Sequence, residues 1–287
     1  MSAETCSNPG AQGGALTAKG AAGPELIRKN LASVKHKLIV MSGKGGVGKS
    51  TVAVNLAVSL VRRGCTVGLL DADIHGPSVP KLLGVPNLPL NTNQAGRIVP
   101  MHVPPGLKVI SMAFLLGNRD APVIWRGPVK MGALKQFLED VEWGELDYLI
   151  VDLPPGTGDE PLSIAQLIPS PDGTVIVTTP QDVALLSVRK SINFARAVNL
   201  PVIGIIENMS GLTCPHCGKE INVFGDGGPK EAAKEMSIPY LGRLPLTPAI
   251  AKHGDAGKPF VSVPNLGVVD VFEQITEKIV SSVERKR

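Results

Sequence analysis

Gly43-Lys44-Gly45-Gly46-Val47-Gly48-Lys49-Ser50 fits G-x-x-x-x-G-K-[ST] at every constrained position. Glycines at these places let backbone N–H groups converge on phosphate oxygens, and a helix opening at the end of the motif adds its positive dipole. In that arrangement Lys49 reaches the β- and γ-phosphates and the Ser50 hydroxyl ligates Mg²⁺, with Thr51 beside it counted among the nucleotide-binding residues. Lys44, directly after the first glycine, is a second lysine that the pattern does not demand. Three carboxylates follow in order. Asp71 and Asp73 end one apolar run, and Asp152 ends another, followed by Leu-Pro-Pro-Gly-Thr-Gly-Asp. Asp152 suits a carboxylate that holds Mg²⁺ through water, with the Gly-rich segment sensing the γ-phosphate. An acid closing a strand can equally be a helix cap. No Asn-Lys-x-Asp guanine reader occurs anywhere, so ATP is the expected nucleotide.

Cys214-Pro-His-Cys217-Gly lies downstream of all these motifs and admits three readings. A redox pair needs to open a long helix that stabilises its thiolate, and Gly218 and Ile221 to Gly225 do not look helical. A zinc site wants four ligands, whereas the chain offers one close pair. Cys6 falls in a Gly/Ala-rich stretch and Cys65 at a helix–strand junction, where a buried structural thiol is the simpler account. His216 could add a third ligand, which still leaves the site open. The third reading is half of a shared centre: two chains in a symmetric dimer supply four thiolates, as a [4Fe–4S] cluster or tetrahedral zinc requires.

The elements that must position these residues alternate. Apolar runs at 38–41, 66–70, 148–151, 174–178 and 202–206 read as strands. Residues 52–62, 129–141 and 183–198 read as helices, and a closing helix is expected over 268–283. A short amphipathic stretch spans 25–34, and 109–116 is apolar. Residues 86–106 form a long connection with a small hairpin expected around 97–103. The Cys pair falls in a loop region, 209–228, and a Pro-rich loop follows the short run 239–242. Continuously apolar strands separated by helices mean an α/β fold with a mostly parallel central sheet covered by helices on both faces. Residues 1–24 read as a flexible tail, and 25–287 as a single domain.

Composition narrows the function classes. Aromatics are only 3% and no Lys/Arg run is interleaved with them, so a nucleic-acid surface is not expected despite a net charge of +4. No stretch reaches the roughly 18 apolar residues of a membrane span. The N-terminus lacks a signal-peptide core, so the chain reads as cytoplasmic with no membrane partner.

The loop with its extra lysine resembles the deviant Walker A group of P-loop NTPases, which includes MinD, ParA and the nitrogenase iron protein. That resemblance implies a nucleotide-dependent dimer in which Lys44 reaches the partner's nucleotide, Asp73 orients or activates the attacking water, and Asp71 shapes its loop. It also implies that Asn208 contacts adenine, whose N6 donor and N7 acceptor an amide can pair together. Residues 42–50, 71–78, 152–159, Glu207-Asn-Met-Ser210 and 214–218 together resemble the Mrp/ApbC family of iron–sulfur cluster carriers, from about residue 25 onward. The resemblance implies an ATP-binding homodimer that hydrolyses ATP slowly, holds a [4Fe–4S] cluster between Cys214 and Cys217 of two chains, and passes it to apo-proteins. Eukaryotic cytosolic relatives carry a further N-terminal four-Cys motif. Only Cys6 is present here, so a second cluster is not expected. The alternative is a MinD/ParA-type positioning ATPase, whose membrane form uses a C-terminal basic amphipathic helix. Phe272, Ile275, Ile279 and Val283 supply such an apolar face, but Glu273, Glu277 and Glu284 would repel anionic lipid, and Cys214 and Cys217 would have no use.

Overall fold

The computed structural model describes residues 23–74, 76–86, 88–115, 127–214, 216–225 and 227–285. Apart from Gly23 and Pro24, the expected tail lies outside the described residues, as do Cys6, His75, Leu116, Pro215, Lys286 and Arg287. The first half of the chain runs α1 (Gly23–Asn30), β1 (Val34–Met41), α2 (Lys49–Arg62), β2 (Val67–Asp71), α3 (Val79–Leu82), β3 (Asn91–Thr92), β4 (Ile98–Val99), β5 (Met101–Val103) and β6 (Leu107–Ser111). Next come α4 (Gly127–Asp140), β7 (Leu146–Asp152), α5 (Asp159–Leu167), β8 (Gly173–Thr178), α6 (Asp182–Ala197) and β9 (Val202–Glu207). The chain closes with β10 (Leu212–Thr213), β11 (Glu220–Ile221), α7 (Gly228–Glu235), β12 (Tyr240–Arg243), α8 (Pro248–Asp255) and α9 (Val268–Glu284).

Eight strands make one sheet in the order β12-β9-β8-β1-β7-β2-β6-β5. All neighbours are parallel except β5 and β6. Side chains alternate across it, as the two-residue strand period requires. Leu38, Val40, Tyr148 and Ile150 face a core built with Leu56 and Leu60 of α2 and Phe272 and Ile275 of α9. Ile39, Met41, Leu149 and Val151 face the other core, built with Phe137 of α4, Ile164 of α5 and Ile192 of α6. Both faces are therefore covered, and the central strands are buried along almost their whole length.

The structure corrects three local expectations. α8 stands where a Pro-rich loop was expected, while α5 and α7 fall where no element was assigned; Pro229 and Pro248 occupy first-turn positions in α7 and α8, where a missing N–H is tolerated. The single hairpin expected around 97–103 is divided, β4 pairing with β3 and β5 with β6. Pro100, which has no N–H to donate, separates β4 from β5. Cys65, expected to be buried, is half-buried.

Candidate nucleotide and metal sites

Parallel register brings the motifs to one sheet edge. Asp152 lies opposite Val40 on β1 and opposite Asp71 on β2, so two strand-ending carboxylates flank the start of the phosphate loop. The loop then turns directly into α2 at Lys49. Gly48 has φ +82°, and a Cβ there would sit 2.2 Å from Asn208 Nδ2. Glycine thus supplies the left-handed turn and also leaves room for the Asn208 amide, which donates to the Val47 carbonyl at 2.8 Å. At Gly43 a Cβ would meet the Ser187 carbonyl at 2.4 Å, so the loop's first residue is pressed against α6. From the other side the 152–159 segment reaches over, with the Gly156 N–H donating to the Ser42 carbonyl at 2.8 Å.

The charges converge inside this frame. Lys49 is buried, and its Nζ lies 2.7 Å from Asp152 Oδ1 and 3.2 Å from Ser50 Oγ. Burial pushes Asp152 up from the usual carboxylate range, the Lys49 ammonium and the Ser50 hydroxyl oppose this, and the Asp73 charge adds to it. Its second oxygen, Oδ2, is buried with no hydrogen-bond partner. Asp71 is pushed to about 7 by burial and then by the Asp152 charge, with the Ser111 hydroxyl opposing. It accepts hydrogen bonds from Ser111 Oγ at 2.9 Å, Val79 N–H at 3.3 Å and Asp73 N–H at 3.2 Å, which ties down the segment after β2. Asp73 is also buried and accepts from the Gly76 N–H at 3.2 Å. Lys44 is directed elsewhere. Its Nζ donates to Gln181 Oε1 at 2.6 Å, at the start of α6.

A cavity of 230 Å³ opens beside Gly48, Thr51 and Asn208. Its far wall is formed by Leu246, Thr247 and Ile250, none of which the motif reading singled out. One local signal was available: Thr247-Pro248 is a helix start, and the Thr247 hydroxyl accepts from the Ala249 N–H at 3.3 Å.

The Cys pair occupies the tip of a small hairpin. Leu212 pairs with Ile221 and Thr213 with Glu220 in antiparallel register. The turn is closed by Cys214 N–H on the Lys219 carbonyl and Gly218 N–H on the Cys214 carbonyl, both at 2.9 Å. Backbone hydrogen bonds from Cys217 and His216 lower the Cys214 thiol below its ordinary value, and the Cys217 side chain adds to this. These bonds come from a turn rather than a helix, so the feature a redox pair requires is absent here among the described residues. Cys217 is exposed and Cys214 partly so. Among the described residues no group of three or more His, Cys, Asp and Glu side chains is placed to hold a metal. Burial pushes the Cys65 thiol up, and Cys6 lies outside the described residues.

The family model described as a NUBPL iron-transfer P-loop NTPase of the ParA group matches residues 33–280. The chain belongs to that family. The resemblance drawn from the motifs is thereby confirmed, as is the mostly parallel P-loop fold. The iron-sulfur cluster carrier protein of Methanocaldococcus jannaschii is 52% identical, over 91% of this chain and 89% of its own. That of Saccharolobus solfataricus is 51% identical, over 90% and 87%. Among solved structures, a nucleotide-binding protein from Archaeoglobus fulgidus in complex with ADP superposes with a TM-score of 0.72 at 38% identity, covering 85% of this chain and 98% of that one. The cell division ATPase MinD of Pyrococcus furiosus, at 24% identity and a TM-score of 0.62, shares the fold.

Proposed function

We propose that this protein is an ATP-dependent iron–sulfur cluster carrier, in which two copies close their Cys214/Cys217 pairs around one [4Fe–4S] cluster and pass it to apo-proteins. The observation that carries this reading is the exposed hairpin tip: two thiols, one with a lowered pKa, and no third ligand among the described residues. A four-thiolate centre then calls for a second chain. The cluster is cargo, and the 52% and 51% identical relatives named as cluster carriers support it.

The nucleotide site supplies the drive. Loop amides and Lys49 would cradle the phosphates of ATP, and Asn208 with the 230 Å³ cavity would take the base. The unpartnered Oδ2 of Asp152 and the hydroxyl of Ser50 would hold Mg²⁺. Mg²⁺ when bound draws charge from the β- and γ-oxygens. Asp73 would orient the attacking water. Lys44, released from Gln181, would reach the nucleotide of the other copy and do the work of an arginine finger. Movement of the 71–80 and 152–160 segments with the γ-phosphate would alter the spacing of the two Cys pairs.

The positioning-ATPase alternative loses support in its membrane form. Phe272, Ile275, Ile279 and Val283 are buried in the core, and Glu273 and Glu277 hold Arg63. Among the described residues no helix is long and apolar enough to cross a membrane. The test is anaerobic reconstitution followed by metal analysis, a visible spectrum and native mass determination. The expected product is a dimer with one [4Fe–4S] cluster per two chains. Stoichiometric zinc without iron uptake, or a stable monomeric holo-form, would overturn the proposal.

A further inference from the structure

β12 ends the sheet on the side opposite β5, and among the described strands only β9 pairs with it. Parallel sheets in α/β proteins are usually covered, and an open strand edge is a template for another chain. Along β12 runs a groove of 670 Å³. β12 forms one wall and α9 the other, through Val271, Ile275 and Lys278. Thr213 and Glu220, which flank the Cys turn, and Lys230 of α7 also line it.

A strand edge facing a helix across an apolar floor is the geometry of strand addition, in which backbone bonds give affinity and flanking side chains give selectivity. Leu241 and Ile275 are buried and furnish that floor. Charge sets the selectivity. Arg243 is matched by Glu220 at 3.0 Å, but Lys230 and Lys278 have no carboxylate partner among the described residues. Lys278 Nζ instead donates to the Leu241 carbonyl at 2.6 Å. A backbone N–H from an incoming strand can replace that bond and free the ammonium for a carboxylate. A small free anion could meet the lysines, yet it would leave the strand edge and the apolar floor unused.

We infer that this groove receives an extended acidic segment of a client protein, laid along β12 with one end beside Cys214 and Cys217. The inference rests on the carrier reading for the word client, but its test needs no cluster. The probe is a fluorescein-labelled ten-residue peptide of alternating Asp and Val, titrated onto the full chain and followed by anisotropy. Binding should weaken about tenfold or more in the Lys230→Glu/Lys278→Glu variant and in 0.5 M salt, and should be lost with a proline-interrupted peptide. Lys278→Gln, which keeps a donor for the Leu241 carbonyl, should weaken it less. Melting curves establish that each variant is folded. Binding that ignores charge reversal overturns the inference, as does a proline peptide that binds equally well or citrate that competes as strongly as the peptide. Should reconstitution fail to yield a cluster while the peptide binds as described, the carrier reading falls and the groove remains.

Discussion

The phosphate loop and the Cys hairpin solve opposite problems with comparable economy of sequence. Around the loop, the chain satisfies nearly every charge itself: Lys49 is matched by Asp152, Asp71 by hydrogen bonds from Ser111 and two backbone amides, and Asn208 by the Val47 carbonyl. Among the described residues, Asp152 Oδ2 and Thr179 Oγ1, two residues before the Gln181 that holds Lys44, are left open in a buried setting. At the hairpin, two thiols stand on an exposed turn, flanked by Ile221 and Val223, each 47% exposed. The first region is preorganised for a ligand that enters and leaves. The second offers two thiols with no third His, Cys, Asp or Glu placed beside them to hold a metal among the described residues.

If that contrast is sound, damage to each region should stay within it. Cys214→Ala and Cys217→Ala should each abolish cluster retention in reconstitution while ATP affinity stays within about threefold, below roughly 0.7 kcal/mol. Cys65→Ala and Cys6→Ala should retain the cluster. A double 214/217 variant that still binds one would erase the distinction altogether. Lys44→Ala should lower ATP hydrolysis by about a thousandfold, at the lower end of what an arginine finger contributes, with ATP binding to the monomer preserved. Mixing it with Asp73→Ala sharpens the point: mixed dimers should regain activity, and none at all would mean that Lys44 serves its own chain's nucleotide. Lys49→Ala removes the loop's main cation and leaves Asp152 buried without its partner, so ATP affinity should fall about a hundredfold, roughly 2.7 kcal/mol. A loss under threefold would mean that the loop does not hold phosphate.

The smallest effect concerns pH. Asp71 rises from 3.8 when free to about 7 when folded, so the folded state binds its proton more tightly than the unfolded state does. Its contribution to stability is full below about 4 and is lost as pH rises through about 7. The melting temperature of the nucleotide-free protein should therefore decline across that window. Asp152→Asn should lessen the decline, because it removes the neighbouring negative charge. A melting temperature that climbed through the same range would contradict the buried carboxylate pair.

Much of this was readable beforehand, for a physical reason in each case. Strands β1, β7 and β8 are buried on both faces and so read as unbroken apolar runs, and the loop between β1 and α2 has a spacing that phosphate geometry enforces. What escaped depends on distant parts of the chain meeting. The Lys44–Gln181 contact joins residues 137 positions apart, and the pairing of Lys49 with Asp152 joins residues 103 apart. No local pattern announces either contact. The wall at 246–250 falls within the stretch whose prolines suggest a loop, yet Pro248 sits in the first turn of α8, where its missing N–H is no obstacle. The edge groove was invisible for a simpler reason: sheet order is a property of the folded chain.

Asn208 touches the phosphate loop, and Cys214 begins the hairpin turn only six positions later in the same strap of chain. Equilibrium binding at two sites is reciprocal. If the hairpin holds the cluster as proposed, any factor by which nucleotide loosens or tightens that hold must return, unchanged, as the factor by which the cluster alters nucleotide affinity. A full and an empty carrier exposed to one ATP concentration would then differ in nucleotide occupancy, and the strap would serve as a gauge of loading as well as a lever for release.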